Sequence, residues 1–431
     1  MALGGGTFVS QNKKLPGSYI NFVSAARASA SLSTRGIAAM GLPLDWGVDN
    51  EVFTVTAAEF QKNALGLFGY HSGHEKLRAV RELFRNATML HLFKLTSSSE
   101  GKASNDLATA KRSGARGNDL LIAVERGEGG FAVRTLLEGA EVDSQTVADA
   151  SELQDNDFVT FDRGAELSAT AGMPLTGGET KEASVQSHVD FLNKVEPYFF
   201  NAIGCACTDT EIADLYVSFV KRLREEVGVK TQAVLFRRAA DYEGVVNVEN
   251  AAVGAGIADM VYWVTGVIAG TAVNRSATNL RYDGELKPFV DYGQSELEKC
   301  VDGGKFTLHR VENEVRVLTD INSLTSFSSE KNEDFQRNQT IRVIDCIGND
   351  IASMFNKKYI GKIRNNQSGR MSFWSDIVKH HRELERLEAI EEFSESDVVV
   401  EQGETKRSVV VSDTVRVVDA MEQLYMTVVV A

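Results

Sequence analysis

The 431 residues are enough for two to four domains, and an apolar share of 43% beside a charged share of 25% is that of a soluble globular chain. A formal charge of −14 argues against a general nucleic-acid binder, because an acidic surface repels a polyanion. Five prolines and no repetitive tract argue against long disordered linkers.

Met1 to Lys14 is glycine-rich, then polar, and has no periodicity, so it reads as a flexible arm. It lacks the basic-then-apolar order of a signal peptide. Fully extended, fifteen residues reach roughly 50 Å, against a radius of gyration of about 22 Å for a compact body of this length. Such an arm can touch an adjoining molecule. Pro16-Gly17 marks a turn, and Tyr19-Ile20-Asn21-Phe22-Val23 reads as a short strand. Arg35 to Met40 is a second strand. Thr56 and Glu59 have capping-box spacing ahead of a helix over Phe60 to Leu67. Glu75 to Phe84 is another amphipathic helix, and Met89 to Leu95 returns as a strand. Strands alternating with helices imply an α/β core.

Near residue 96 the pattern changes. Short strands (Leu120–Val124, Phe131–Thr135, Glu141–Val147, Phe158–Phe161) recur between Gly/Asn/Asp clusters, as in a small β-sandwich. The α/β alternation resumes afterwards, so the sandwich reads as an insertion. From Ser184 a helical stripe runs through Val185, His188, Leu192 and Val195. Phe199 to Cys207 is a buried strand, and Thr208 with Glu211 caps a helix whose apolar face holds Ile212, Leu215, Phe219 and Leu223. Gln232 to Phe236 is a strand. Met260 to Val273 is apolar all round but too short to span a bilayer, so it reads as a buried helix in a soluble, cytosolically made protein. Four cysteines (Cys205, Cys207, Cys300, Cys346) are too few for a disulfide framework and read as small buried hydrophobes.

The last third begins near Lys331. Ile341, Ile344, Ile347, Ile351 and Met354 keep helical spacing, and a second helix spans Ser375 to Ala389. Between them lies a basic stretch with Lys357, Lys358, Lys362, Arg364 and Arg370, conspicuous in an acidic chain and suited to an acidic partner surface. The chain closes in β-branched runs: Ser408–Val411 with Val409 and Val411, Val415–Val418, and Tyr425-Met426-Thr427-Val428-Val429-Val430. A terminus of this kind either closes its own sheet or is lent to a neighbour, since an open strand recruits another.

Catalytic constellations fail. The sequence holds no phosphate-binding loop, dinucleotide fingerprint or G-x-S-x-G elbow. His71 and His74 lack further ligands nearby, and Asp241 and Glu243 read as turn residues. His380 and His381 are adjacent, so on a helix they are expected to diverge. No cofactor and no metal is expected.

The segments that remain resemble one family. Pro16-Gly-Ser-Tyr-Ile-Asn-Phe-Val-Ser-Ala-Ala followed by Leu44-Asp-Trp-Gly47 is similar to the start of phage tail sheath proteins, above all those of Gram-positive phages, defective prophages and R-type bacteriocins. Gly114–Asp119, Asp241–Gly244, Ala272–Ser276, Glu314–Asn322 and Val418–Thr427 resemble the same family in order. The resemblance implies a multidomain α/β protein: an arm (1–22), an N-terminal α/β region (23–95), an inserted β-sandwich (96–180), a subtilisin-like three-layer α/β domain (181–330) and an α+β C-terminal domain (331–431). "Subtilisin-like" concerns fold alone, since His188, His309 and Ser276 lack a protease context.

The resemblance further implies a structural subunit that polymerises around a tail tube and contracts to drive it through an envelope. Its partners are other copies of itself, the tube, a baseplate and a tail terminator, in a virion or phage-tail-like particle, with no nucleic acid and no membrane insertion. Strand addition between subunits would use Tyr19, Ile20, Phe22, Val23, Val409, Val411, Tyr425, Thr427, Val428, Val429 and Val430, with Ser10–Lys14 and Asp419–Gln423 as hinges. The basic stretch would face the tube. A soluble hydrolase would need a triad that the sequence lacks, and a non-contractile tube or shell subunit would not need the length or the inserted sandwich.

Overall fold

The computed structural model describes Leu32, residues 35–96 and residues 101–430. The arm from Met1 to Lys14 and the strand with Tyr19, Ile20, Phe22 and Val23 lie outside the described residues.

The body begins with β1 (Ile37–Leu42), β2 (Phe53–Thr56), α1 (Ala57–Phe68), α2 (Arg78–Phe84) and β3 (Met89–Lys94). The Thr56–Glu59 capping box forms as expected: the Thr56 hydroxyl accepts from the Glu59 amide, and the Glu59 carboxylate accepts from the Thr56 amide. The chain then leaves for β4 (Ala108–Ala110), β5 (Leu120–Gly127), β6 (Gly130–Leu137), β7 (Ala140–Val147), β8 (Val159–Phe161) and β9 (Thr170–Pro174). It returns through α3 (Val185–Val195), β10 (Ala202–Cys205), α4 (Thr210–Arg222), β11 (Gln232–Phe236), β12 (Val245–Val248), α5 (Met260–Gly270), α6 (Gln294–Asp302), β13 (Lys305–Phe306), β14 (Leu308–Val311) and β15 (Glu314–Val317).

One seven-stranded sheet results, in the order β13-β12-β11-β10-β1-β3-β2. Every pairing is parallel except that of the edge strand β2 with β3. Parallel strands need helices on both faces, and the side chains sort accordingly. Ala38, Met40, Val234 and Phe236 point into a core shared with α1, α2 and α5, while Ala39, Ala233 and Leu235 point into a second core with α3 and α4. The helix α5 is buried throughout, as its all-round apolar sequence demands. It runs so close to α2 and the turn after it that a Cβ on Gly266 would stand 2.5 Å from the Leu83 oxygen, and one on Gly270 1.9 Å from the Asn86 oxygen. At α4 the cap differs from expectation. Asp209, not Thr208, accepts from the Glu211 and Ile212 amides, because a carboxylate is the stronger acceptor at a helix start.

The inserted strands form a four-stranded sheet, β7-β6-β5-β9, and a two-stranded one, β4-β8, around their own core. Trp46 from the body is planted in that core beside Phe158. Buried Arg116 ties the two units again: it donates to the Gly69 carbonyl at 2.9 Å, binds Asp119 and Glu138, and lies over the Tyr70 ring.

The remaining elements are α7 (Asn338–Met354), α8 (Gln367–Arg386), β16 (Ile390–Glu391), β17 (Val398–Gln402), β18 (Val409–Asp413) and β19 (Arg416–Val417). α8 starts eight residues before the expected Ser375, capped by the Asn366 side chain on the Gly369 amide. Two buried ion pairs root α7 in the body, Arg224 with Asp345 at 2.7 Å and Arg342 with Asp320 at 2.5 Å. No helix among the described residues is long and apolar enough to cross a membrane.

Candidate assembly interface

Beyond β19 the chain is first held, then released. The Val418 carbonyl accepts from the Gln339 side chain, and the Ala420 amide donates back to the same side chain. Glu422 is clamped by Thr278 at 2.6 Å, Thr319 at 3.1 Å and Arg337 at 2.9 Å. The segment Asp419–Gln423, expected as a hinge, is therefore anchored. Its carboxylate had no visible partner in the sequence, because Thr278, Thr319 and Arg337 are far away in the chain.

After Glu422 the anchoring stops. Among the described residues no backbone hydrogen bond is made from 421 to 430. Tyr425 is 88% exposed, Val428 70%, Val429 84% and Val430 91%. With a period of two, Tyr425, Thr427 and Val429 share one face, and Met426, Val428 and Val430 the other. Both faces are largely apolar, which suits a strand covered on both sides.

The sheets of the C-terminal domain are short. Among the described residues β17 pairs with β18 alone, and β16 with β19 alone. Val409 and Val411 thus pair within the chain, opposite Gln402 and Val400. A two-stranded sheet is marginal in water, and three or more strands are the stable unit. Val399, Val410 and Val411 of this hairpin are exposed.

The basic stretch is broken up by its surroundings. Lys358 forms an ion pair with Asp376, the hydrogen bond to which raises its pKa, and Tyr359 donates to the same carboxylate at 2.5 Å. Lys362 donates to the Lys357 carbonyl, and Arg370 to Asn365. Arg364 and Arg370 line a pocket over Phe355, Tyr359, Ile360 and Phe373, and Arg407 joins them from the β17–β18 turn. Sequence reading missed Arg407, which lies 37 positions after Arg370 and reaches the pocket only through the hairpin.

The residues considered for catalysis sit apart, with separate partners. Ser276 donates to Thr278, His309 is on β14, and His188 lies with its Nδ1 2.9 Å from the Tyr216 hydroxyl. Burial pushes the His188 pKa down to about 4. Hydrogen bonds from Ser326 and Thr325 hold Asp241 down at about 2, and Glu243 pairs with Lys331. His74 caps the turn after it and stacks on Tyr70. Cys205 and Cys207 bring their sulfurs to 3.3 Å. The expectation for His380 and His381 is overturned: both are fully buried and their Nδ1 atoms meet at 3.3 Å. Side-chain torsion, which sequence spacing does not see, turns the two rings together.

Three family models match along the chain. Their descriptions are phage tail sheath protein beta-sandwich domain (residues 96–180), phage tail sheath protein central domain (181–323) and phage tail sheath C-terminal domain (330–431). Two proteins of Bacillus subtilis (strain 168) are similar over 99% of this chain and 99% of their own: YqbK, at 31% identity, and the phage-like element PBSX protein XkdK, at 30%. The sheath tail protein of Desulfitobacterium hafniense has a similar solved structure, with a TM-score of 0.82 and 33% identity over 95% of this chain and 99% of its own. That of Listeria innocua gives 0.79 and 28%, over 92% and 95%. An extracellular contractile injection system sheath in its contracted state shares the fold, with a TM-score of 0.56 and 13% identity over 97% and 98%. Likeness from one end to the other, at the level of sequence and of fold, assigns this protein: it belongs to the phage tail sheath family and is a tail sheath subunit.

Proposed function

We propose that this subunit polymerises with copies of itself around a tail tube, and that the polymer shortens to drive the tube through a target envelope. The observation that carries the reading is the apolar segment 424–430, which is exposed and makes no backbone hydrogen bond among the described residues. Tyr425, Thr427, Val428, Val429 and Val430 add as a strand to a neighbour's β17–β18 hairpin, where Val409 and Val411 stay at home and serve the receiving sheet. Tyr19, Ile20, Phe22 and Val23 supply a further strand. One added strand of this length makes about six backbone hydrogen bonds at about 1 kcal/mol each, net. A single clasp is modest, and repetition along the polymer makes a net.

The anchoring at Glu422 supports a pivot just beyond it. The α7 helix is locked to the body by buried ion pairs, so bodies rotate as units and bending falls in the backbone just past Glu422. Energy for shortening is stored at assembly, so no nucleotide and no catalytic group is required. We divide the chain into an arm (1–22), a body (23–95 and a subtilisin-like 181–330), an inserted sandwich (96–180) and an assembly domain (331–431). The exposed basic groups Lys357, Lys362, Arg364 and Arg407, with half-buried Arg370, dock an acidic tube surface. A baseplate and a terminator close the two ends, in a phage or phage-like particle.

Deleting Leu424 to Ala431 tests this. The expected product is folded, with unchanged circular dichroism and melting, and forms no tubes under the electron microscope. Normal tubes from the truncated chain would overturn the clasp.

A further inference from the structure

A buried chain of side chains crosses the C-terminal domain. Cys346 and Asp350 lie one turn apart on α7, with the sulfur 3.2 Å from Asp350 Oδ2. His380 of α8 brings its Nε2 to 3.0 Å from the same oxygen. His380 Nδ1 meets His381 Nδ1 at 3.3 Å, and His381 Nε2 reaches Asp413 Oδ2, at the end of β18, at 2.8 Å. Both imidazoles are 0% exposed, Cys346 6% and Asp350 7%.

With both imidazoles neutral and both carboxylates ionised, the three links Asp350–His380, His380–His381 and His381–Asp413 share only two N–H donors. A neutral ring has one N–H and one lone pair, and a carboxylate only accepts. If each Nε2 donates to its carboxylate, the two Nδ1 lone pairs face each other in a site without exposure, which is unfavourable. One positive charge at His380 Nε2 resolves the conflict. With Nε2 offering its lone pair to a cation, Nδ1–H donates to His381 Nδ1, and His381 Nε2–H donates to Asp413. Every donor then has an acceptor. A carboxylate behind a ligating imidazole is how metal sites fix tautomer and ring orientation, and here a second histidine relays it.

We propose that Cys346, Asp350 and His380 form a site for a zinc-class divalent cation, with His381 and Asp413 as its orienting relay. Sγ, Oδ and Nε2 or Nδ1 of the three residues lie within 4.8 Å of one another, close to the spread of ligands around one ion. A thiolate, an imidazole and a carboxylate together favour zinc or cobalt over magnesium or calcium. The fourth position falls to water. Without a cation, burial and Asp350 push the Cys346 thiol up, so coordination releases its proton to solvent and weakens as pH falls. Arg35 is the cation that acts on Cys346 from nearby, and its guanidinium is engaged by the Ile268 and Thr271 carbonyls. An ion here would pin α7 to α8 and, through the relay, hold β18, a strand of the hairpin that receives the neighbour's arm.

Full-length protein, stripped with chelator and titrated with Co(II) alone at pH 7.5, is expected to bind one equivalent, with a thiolate-to-cobalt band in the near ultraviolet that zinc abolishes. Cys346→Ser should lose the band while keeping wild-type circular dichroism. Cys207→Ser should keep it, which excludes the Cys205–Cys207 pair as its source. Asp413→Asn should retain the band but weaken affinity about 10- to 100-fold. No stoichiometric cobalt, or an undiminished band in Cys346→Ser, would overturn the site. Melting that falls with rising pH and ignores zinc would assign the missing charge to a proton instead.

Discussion

The sheet of the body and the sheets of the C-terminal domain answer the same physical demand in opposite ways. In the body, seven strands bury both faces under helices, and β10, β11 and β12 are buried at every position. In the C-terminal domain, strands pair in twos among the described residues, and β18 is exposed over most of its length. The body satisfies its backbone and apolar surface within the chain. The C-terminal domain leaves both needs partly open, and it ends in an apolar segment, 424–430, that makes no backbone hydrogen bond among the described residues. The proposed clasp thus concentrates assembly where folding leaves surface open, and rigidity where folding is complete.

That contrast can be broken, or sharpened, by experiment. The largest effect is the loss of tubes on deleting Leu424 to Ala431, with the monomer's stability unchanged. Next, Arg342→Ala leaves Asp320 buried without its partner and should cost about 3–5 kcal/mol in urea unfolding. A loss under 1 kcal/mol would mean that α7 is not rooted in the body. Acid should act on the body through His188. Its unfolded form takes up a proton near pH 6.5, the native one only near pH 4. Between those values the unfolded state holds more protons, so stability falls with falling pH by about 1.4 kcal/mol per unit at most. His188→Gln should flatten that slope in melts from pH 7 to 4.

Val410→Lys places a charge on the open hairpin. It should change monomer stability by less than about 0.5 kcal/mol, yet reduce tube formation in light scattering. The smallest stability effect belongs to Lys357→Glu with Lys362→Glu. Binding of tube protein is expected to weaken and to lose its salt dependence, while tubeless polymers still form. Lys358 is left out of that test because Asp376 already neutralises it.

Much of the body is legible in the residue order. Thr56-Ala-Ala-Glu59 announces its cap, Gln232–Phe236 its strand and the run from Met260 its buried helix, because each signal is local. The sandwich strands β5, β6 and β7 are legible in the same way, whereas the short β4 and β9 lack enough alternation to be seen. The C-terminal domain is less legible. Its basic stretch looks like one feature, yet Lys358 is held by Asp376, and Arg407 arrives from another element. Adjacent histidines look divergent and instead meet.

What the sequence alone determined is the alternation of elements, the lack of a catalytic motif, and the apolar, β-branched character of the last strand. These follow from propensity and period, which act over a few residues. Only the tertiary structure decided that segment 424–430 makes no backbone hydrogen bond among the described residues, that Glu422 anchors the chain just before it, and that Cys346, Asp350, His380, His381 and Asp413 line up from α7 to the end of β18. Those outcomes depend on which distant groups meet, and a hydrogen bond or an ion pair reaches only about 3 Å, whatever the separation along the chain.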